Sequence, residues 1–290
     1  MKRRLDTRSI GLDIGVRFAR WLTGAENLHY GLWTGLDVNA GNLGAAQTAF
    51  TDRLLSHLPD GPLSILDIGG GAGETAKRLV ALGHRVEIVV PSAYLADRCR
   101  ANAPDAQVHC TTLQEFETDA RFDLCLFSES LQYIPLETAL GKAVALTGAG
   151  GRILIADCFR SEAFRRGGPI RSPGGGHPVE DVRRMLDTLP VEILAQEDIT
   201  DGVAPSIDLE QGFYATIGAA LERVDAELAQ KRPAARWMIR RALSLVLRRK
   251  SRLRIAARLR GDIRNSEIFR RDNRYLIVSL RLSDKRAPAR

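Results

Sequence analysis

The 290-residue chain lacks the features that mark several protein classes. Its four cysteines, at positions 99, 110, 125 and 158, form no C-x-x-C pair. That argues against a thiolate metal site or a disulfide framework, and they read as core thiols of a reducing compartment. No apolar run approaches the ~18 residues of a membrane span, and Met1-Lys-Arg-Arg4 leads into an amphipathic stretch instead of a signal-peptide core. These absences predict a cytoplasmic protein. Acidic residues are missing from Lys231 to Arg260, where 12 Lys or Arg stand without a carboxylate. The rest of the chain holds 30 basic and 35 acidic residues, so the whole net charge of +7 comes from this one segment. With 44% hydrophobic residues the chain can bury a substantial core, as one large domain or one and a half.

The most informative stretch that is present runs from Ser64 to Glu74, SILDIGGGAGE. An apolar strand enters a glycine turn, and glycines at 69, 71 and 73 permit positive φ and close approach of a ligand to the backbone. Glu74 to Leu82 follows with Ala76, Leu79 and Val80 at helical spacing, and Gly83 is placed to end the helix. Gly71-Ala-Gly-Glu-Thr-Ala76 also fits the loose dinucleotide pattern G-x-G-x-x-A, a short motif of low specificity. Asp67 separates the two readings, because a carboxylate in the turn would repel a pyrophosphate and suits a ligand that carries an ammonium.

The spacing Asp67-x-Gly69-x-Gly71-x-Gly73 resembles the first motif of class I S-adenosylmethionine-dependent methyltransferases. The resemblance covers about residues 60 to 160, and Ser128-Glu-Ser-Leu-Gln-Tyr-Ile-Pro135 is similar to the loop that lies beside the methyl group in members acting on small molecules. Asn27-Leu-His-Tyr-Gly-Leu-Trp33 and Glu197-Asp-Ile-Thr-Asp-Gly-Val-Ala-Pro205 resemble segments of the sterol, tocopherol and phosphoethanolamine methyltransferases. There they imply an N-terminal piece folded over the cofactor and a helical cap enclosing a small, amphiphilic acceptor. One departure from the family is plain. Val90-Pro91-Ser92 stands at the end of the second strand, where most members carry an acid for the ribose hydroxyls. Ser92 or backbone groups must then hold the ribose.

Along the chain, strands are predicted at Val86–Val90, Gln107–His109, Phe122–Phe127, Arg152–Asp157 and Val191–Ile199, and helices at Tyr94–Asn102, Leu136–Leu146 and Val179–Leu189. A turn is expected at Gly148-Ala-Gly-Gly151, and a mobile loop over the rim at Cys158–Pro178. Apolar strands alternating with amphipathic helices indicate a doubly wound, mostly parallel α/β sheet of the Rossmann-like kind. The alternating stretch Asn273–Leu282 supplies a seventh strand, antiparallel in the family, with a helical cap inserted between strands six and seven. The expected organisation is an N-terminal helical segment over the cofactor site (1–58), a Rossmann-like core (59–202), a basic helical cap (203–272), and a last strand with a basic tail (273–290).

In such sheets ligands bind at the carboxyl ends of the strands. This rule puts Asp67 and the glycines, Pro91-Ser92, His109-Cys110, Ser128 to Ser130 and Asp157 on one rim. The resemblance implies S-adenosyl-L-methionine as cofactor, with Asp67, Gly69, Gly70, Gly71, Gly73, Ser92, Ser128 and Tyr30 as its binding residues. Methyl transfer is an in-line displacement in which alignment supplies much of the acceleration, and a base is needed only for a nucleophile of high pKa. Candidates are Glu129 for acceptor orientation, His177 as base, Tyr133 and His29. No metal is implicated.

The basic segment 231–260 interleaves its arginines with Trp237, Met238, Ile239, Leu243, Val246, Leu247, Leu253 and Ile255, as in one or two amphipathic helices with a break near Arg248–Arg252. Three readings are open. It is a cap whose apolar side packs on the core, or a peripheral helix on the anionic inner face of a membrane, or a nucleic-acid contact, disfavoured because Trp237 alone is a poor stacking platform. For the whole chain the expected activity is methyl transfer to a small, amphiphilic or lipid-like acceptor. The alternatives are a nicotinamide-dependent oxidoreductase, for which no hydride-active Tyr/Lys pair is found, and a non-catalytic cofactor-binding protein docked to an anionic surface.

Overall fold

The fold is given by a computed structural model that describes residues 7–165, 172–246, 249–260 and 264–283. Seven strands form one sheet in the order β3-β2-β1-β4-β5-β7-β6. They are β1 (Ser64–Ile68), β2 (Arg85–Val89), β3 (Gln107–His109), β4 (Phe122–Ser128), β5 (Thr147–Arg160), β6 (Val191–Asp198) and β7 (Asn273–Leu282). β1 pairs in parallel with β2 and β4, and β4 with β5, whereas β7 is antiparallel to both β5 and β6. The strand order reverses between β1 and β4, and that is where a crevice opens at the carboxyl ends.

Helices cover both faces because the central strands are apolar on both. In β4, Leu124 and Leu126 join one core with Ile65, Phe50 and Leu54, while Cys125 and Phe127 join the other with Leu66, Leu140 and Ala143. This period-two division is what strand geometry imposes. α2 (Leu43–Leu55), α3 (Glu74–Ala81) and α4 (Ala93–Asn102) lie over the first core, and α5 (Leu136–Leu146) and α6 (Val179–Thr188) over the second. Each fully buried Leu, Ile or Phe contributes about 1.5–3 kcal/mol relative to exposure. Val16 of α1 (Thr7–Thr23) also reaches the first core, so α1 rests on the same face.

The predicted elements recur with small shifts at their ends, and three expectations change. β5 is longer than predicted: the glycine run 148–151 is drawn into it, and its register against β4 jumps from Phe122–Thr147 to Leu124–Arg152. Cys158, Phe159 and Arg160 continue β5 instead of opening a loop, because β7 pairs with them out to Asn273. Part of the expected mobile loop, residues 166–171, lies outside the described residues. Of the cysteines, Cys99, Cys125 and Cys158 are buried thiols, whereas Cys110 is exposed and is no core residue.

Between β6 and β7 the chain is helical: α7 (Thr200–Val203), α8 (Pro205–Lys231), α9 (Pro233–Val246), α10 (Arg249–Arg260) and α11 (Ser266–Asp272). Ile207 and Phe269 anchor α8 and α11 in the first core. A break was expected near Arg248–Arg252, but α10 already begins at Arg249 and runs through Arg252, while residues 247–248 lie outside the described residues. Among the described residues no helix is long and apolar enough to cross a membrane.

Candidate active site

β1 runs out at Ile68 into the glycine turn, and the turn closes on its own backbone: Gly71 N–H donates to Gly69 O at 2.6 Å and Gly73 N–H to Gly70 O at 2.9 Å. Two glycines are required there for distinct reasons. A Cβ on Gly70 would meet Asp67 Oδ2 at 2.6 Å, and one on Gly73, which has φ +88°, would meet Cys99 Cα at 2.9 Å. Gly73 is thus fixed by helix–turn packing, and Gly70 by the carboxylate beneath the turn.

Above the turn lies a cavity of about 530 Å³. Its floor is Asp67 with Gly69, Gly70 and Gly71; one wall carries Val89, Pro91 and Ser92, and another Ser128, Glu129 and Ser130. Leu12 of α1 and Asn27 to His29 close it from the N-terminal side. Ser92 also caps α4, its Oγ accepting from Leu95 N–H at 3.3 Å. Five predicted binding or rim residues do not line the cavity: Tyr30, Gly73, His109, Cys110 and Asp157.

Asp67 is 1% exposed, and neither of its carboxylate oxygens has a hydrogen-bond partner. Burial pushes its pKa from 3.8 up to about 7. An ionised carboxyl in that state costs several kcal/mol unless a cation or donor completes it. The floor of the cavity therefore awaits a positively charged or hydrogen-donating group.

Glu129 is the one non-glycine residue with positive φ (+54°) among the described residues. Its backbone N–H donates to Ala156 O at 2.8 Å, which pins the turn after β4 to β5. Its Oε1 accepts from Tyr30 N–H at 2.9 Å and from the Tyr275 hydroxyl at 2.7 Å. Burial raises its pKa to about 7 against the pull of these two donors. Asp157, raised to about 8 chiefly by burial, accepts from Gln132 N–H and Cys158 N–H. It holds the loop that carries Tyr133 into the cavity wall, where Tyr133 is 54% exposed.

The expected base His177 is not brought to this cavity. Its Nε2 lies 3.2 Å from Leu131 O and 2.9 Å from Ile134 O, so the ring ties the 174–178 segment to the loop after β4. Tyr30 lies beside the cavity without lining it: it contributes its backbone N–H to Glu129, and its ring packs edge-on against Phe269 and Tyr275. His29 lines the cavity but is spent on structure. Nδ1 faces Tyr30 O at 2.9 Å, Nε2 faces Thr51 Oγ1 at 3.2 Å, the ring stacks on Phe50, and burial lowers its pKa to about 4. Sequence reasoning missed Tyr275, which lies 146 residues from Glu129. It also missed Thr112, Leu113 and Gln114, which line the cavity after β3.

Comparison with known proteins fits this geometry. Residues 66–155 match the family described as methyltransferase domain. The ubiquinone biosynthesis O-methyltransferases of Rhodopseudomonas palustris (strain BisB18) and Bradyrhizobium sp. (strain ORS 278) are each 30% identical over 104 residues, 34% of this chain and 41% of the relative. The chain thus spans 41% of the length of these curated relatives.

Among solved structures, the cyclopropane synthase MmaA2 from Mycobacterium tuberculosis aligns with TM-score 0.63 at 17% identity, covering 97% of this chain and 99% of the other. Geranyl diphosphate C-methyltransferase from Streptomyces coelicolor A3(2), solved with S-adenosyl-L-homocysteine, gives 0.59 at 15% identity over 93% and 98%. The [4+2]-cyclase SpnF gives 0.63 at 17% over 95% of each. At such identities these likenesses show the fold.

Residues 66–155 thus match a methyltransferase domain, and the seven-stranded sheet with its cavity at the carboxyl ends of the strands shares the fold of these solved structures. The dinucleotide reading of the glycine turn falls away with that match.

Proposed function

We propose that the whole chain transfers a methyl group from S-adenosylmethionine to a small, amphiphilic or lipid-like acceptor, at a peripheral position on an anionic membrane face. The observation that carries the cofactor half is Asp67, buried at the cavity floor with two unpartnered oxygens. S-adenosylmethionine supplies a methyl carbon made electrophilic by a sulfonium, and its amino group is a cation of the kind the floor lacks.

Asp67 would hold that ammonium, Gly69, Gly70 and Gly71 would present backbone to it, and Ser92 and Ser128 would face the remainder from the two walls. Glu129 is the group for the acceptor. One of its oxygens is held by Tyr30 N–H and the Tyr275 hydroxyl, so the carboxyl is aimed rather than mobile. With a pKa of about 7, it takes a proton from an acceptor near neutral pH. Tyr133 at the rim is the second residue on the acceptor side.

The lipid-like acceptor rests on the apolar part of the lining, with Leu28, Val89 and Ile134, and on the basic cap. Relatives named for ubiquinone biosynthesis and for geranyl diphosphate support the same class. The test is calorimetry of the pure chain with S-adenosylmethionine, S-adenosylhomocysteine and NAD, followed by labelled methyl incorporation into the lipid and aqueous fractions of an extract. Binding of both S-adenosyl compounds and label in the lipid fraction are expected. Tight NAD binding alone would overturn the cofactor, and label confined to the aqueous fraction would overturn the acceptor class.

A further inference from the structure

α1 is two-faced. Val16 and Ala19 are buried, and Leu12 lines the cavity, while Phe18 and Trp21 stand outside, Trp21 at 78% exposure. These outer rings continue onto the cap: the Trp21 and Phe18 centroids are 5.8 Å apart, Phe18 and Phe213 5.1 Å, and Phe213 and Tyr214 5.6 Å. The Arg258 guanidinium lies 4.1 Å over the Tyr214 ring. Ile217, one turn along α8 from Phe213, is exposed as well. An aromatic row therefore starts on the helix that walls the cavity and ends on basic α10.

The charge around the row is one-sided. Three acids of α8 are already used: Glu210 pairs with Arg258 and Arg264, Asp225 with Arg236 and Arg240, and Glu227 with Arg223 and Lys231. Arg232, Arg241, Arg252, Arg254 and Arg260 are exposed and have no acidic partner within 4 Å among the described residues. α10 lies against α8 beside the row, Gln211 Nε2 donating to Arg258 O at 2.8 Å. Rings that partition into the interfacial layer, next to unneutralised arginines that reach headgroups, match an anionic bilayer. The aliphatic neighbours Ile217 and Leu221 continue the row and give a nucleic-acid base no stacking face.

We propose that Trp21, Phe18, Phe213 and Ile217 insert into the interfacial layer of an anionic membrane, with Arg252, Arg254 and Arg260 of α10 on the headgroups, so that the cavity-wall helix α1 lies at the lipid surface. This rests on the peripheral-membrane reading above. It goes beyond that reading by placing the inserted side chains on α1 and α8, outside residues 231–260, and by giving a bilayer-dissolved acceptor a path to the cavity past α1.

The three tryptophans allow a direct test with phosphatidylglycerol/phosphatidylcholine vesicles carrying brominated acyl chains. Trp33 is 4% exposed and serves as the silent internal reference, and Trp237 reports on α9 at 67% exposure. In W237F, Trp21 emission is expected to be quenched and blue-shifted by the vesicles, and W21F/W237F to show no quenching. Trp21→Ala should weaken vesicle binding about tenfold through lost apolar burial, with S-adenosylhomocysteine affinity on the same sample unchanged as the check of folding. Quenching of Trp237 in W21F without quenching of Trp21 in W237F would overturn this inference and leave the basic-segment reading standing. No co-sedimentation with anionic vesicles, or capture by single-stranded RNA in their place, would overturn both.

Discussion

Asp67 and Arg252 are charged residues in opposite situations. Asp67 sits at the floor of the cavity, 1% exposed and without a partner for either oxygen, in a segment where every neighbour is fixed by β1, β4 and the glycine turn. Arg252 sits exposed on α10, with no acidic partner within 4 Å among the described residues and apolar side chains beside it that the fold leaves wet. The floor hides a charge that proteins normally expose, and the cap exposes apolar surface that proteins normally hide. Each departure is relieved by a ligand of opposite character, a small cation for the floor and an extended anionic surface for the cap. Rigid placement suits the first, since one ammonium must meet one carboxylate, whereas spread charge suits the second.

The comparison is broken most easily at Glu129. Glu129→Gln is expected to lower methyl transfer to the lipid fraction by about 10²–10⁴-fold, the usual contribution of a general base, with S-adenosylhomocysteine affinity changed by less than about threefold. Equal losses in turnover and in cofactor affinity would place Glu129 with the cofactor and remove the division of labour between floor and wall.

The floor has its own pH signature. Below about 7 the Asp67 carboxyl is protonated in the free protein, so affinity for S-adenosylhomocysteine should fall by up to about tenfold per pH unit as the pH drops. Asp67→Asn should bind weakly with a flat profile. The stability sign follows from the same shift. A carboxyl raised in the folded state stabilises most below its unfolded pKa, and that contribution is lost as pH rises through about 7. The ligand-free Asp67→Asn variant should therefore melt higher than wild type at pH 8, an advantage that shrinks at pH 5 and disappears only below about 3.8. A melting temperature lowered equally at both values would mean that Asp67 is a structural acid.

The smallest effect is expected on the cap. Replacing Arg252, Arg254 and Arg260 with Gln should change unfolding free energy by less than about 0.5 kcal/mol per site and leave cofactor affinity untouched, while weakening binding to phosphatidylglycerol vesicles at low salt. A large loss of stability would show that these arginines hold the cap to the body, and the contrast with Asp67 would lose its meaning.

The packing-cap reading weighed for residues 231–260 put their apolar side on the core, whereas Leu253 and Ile255 of α10 are exposed although α10 lies against α8. On α9, Met238, Ile239, Leu243 and Leu245 are all exposed, Leu245 at 76%. Periodicity located the apolar stripe of α9 but carried no information on what covers it. His177 is a similar case. A histidine after three glycines looked available for chemistry, and only the loop after β4 folding back on it turned the ring into a backbone tie.

By itself the sequence determined the strand, turn and helix around Asp67, the alternation that yields a parallel sheet and the separation of a basic segment. Each of these follows from local rules: side-chain period, glycine conformational freedom and composition. Only the tertiary structure decided that Tyr275 reaches Glu129 across 146 residues, that both oxygens of Asp67 lose solvent together, and that rings from α1 and α8 meet in one row. Partnership, burial and contiguity are properties of chain segments brought together, and they arise once the sheet has closed around them.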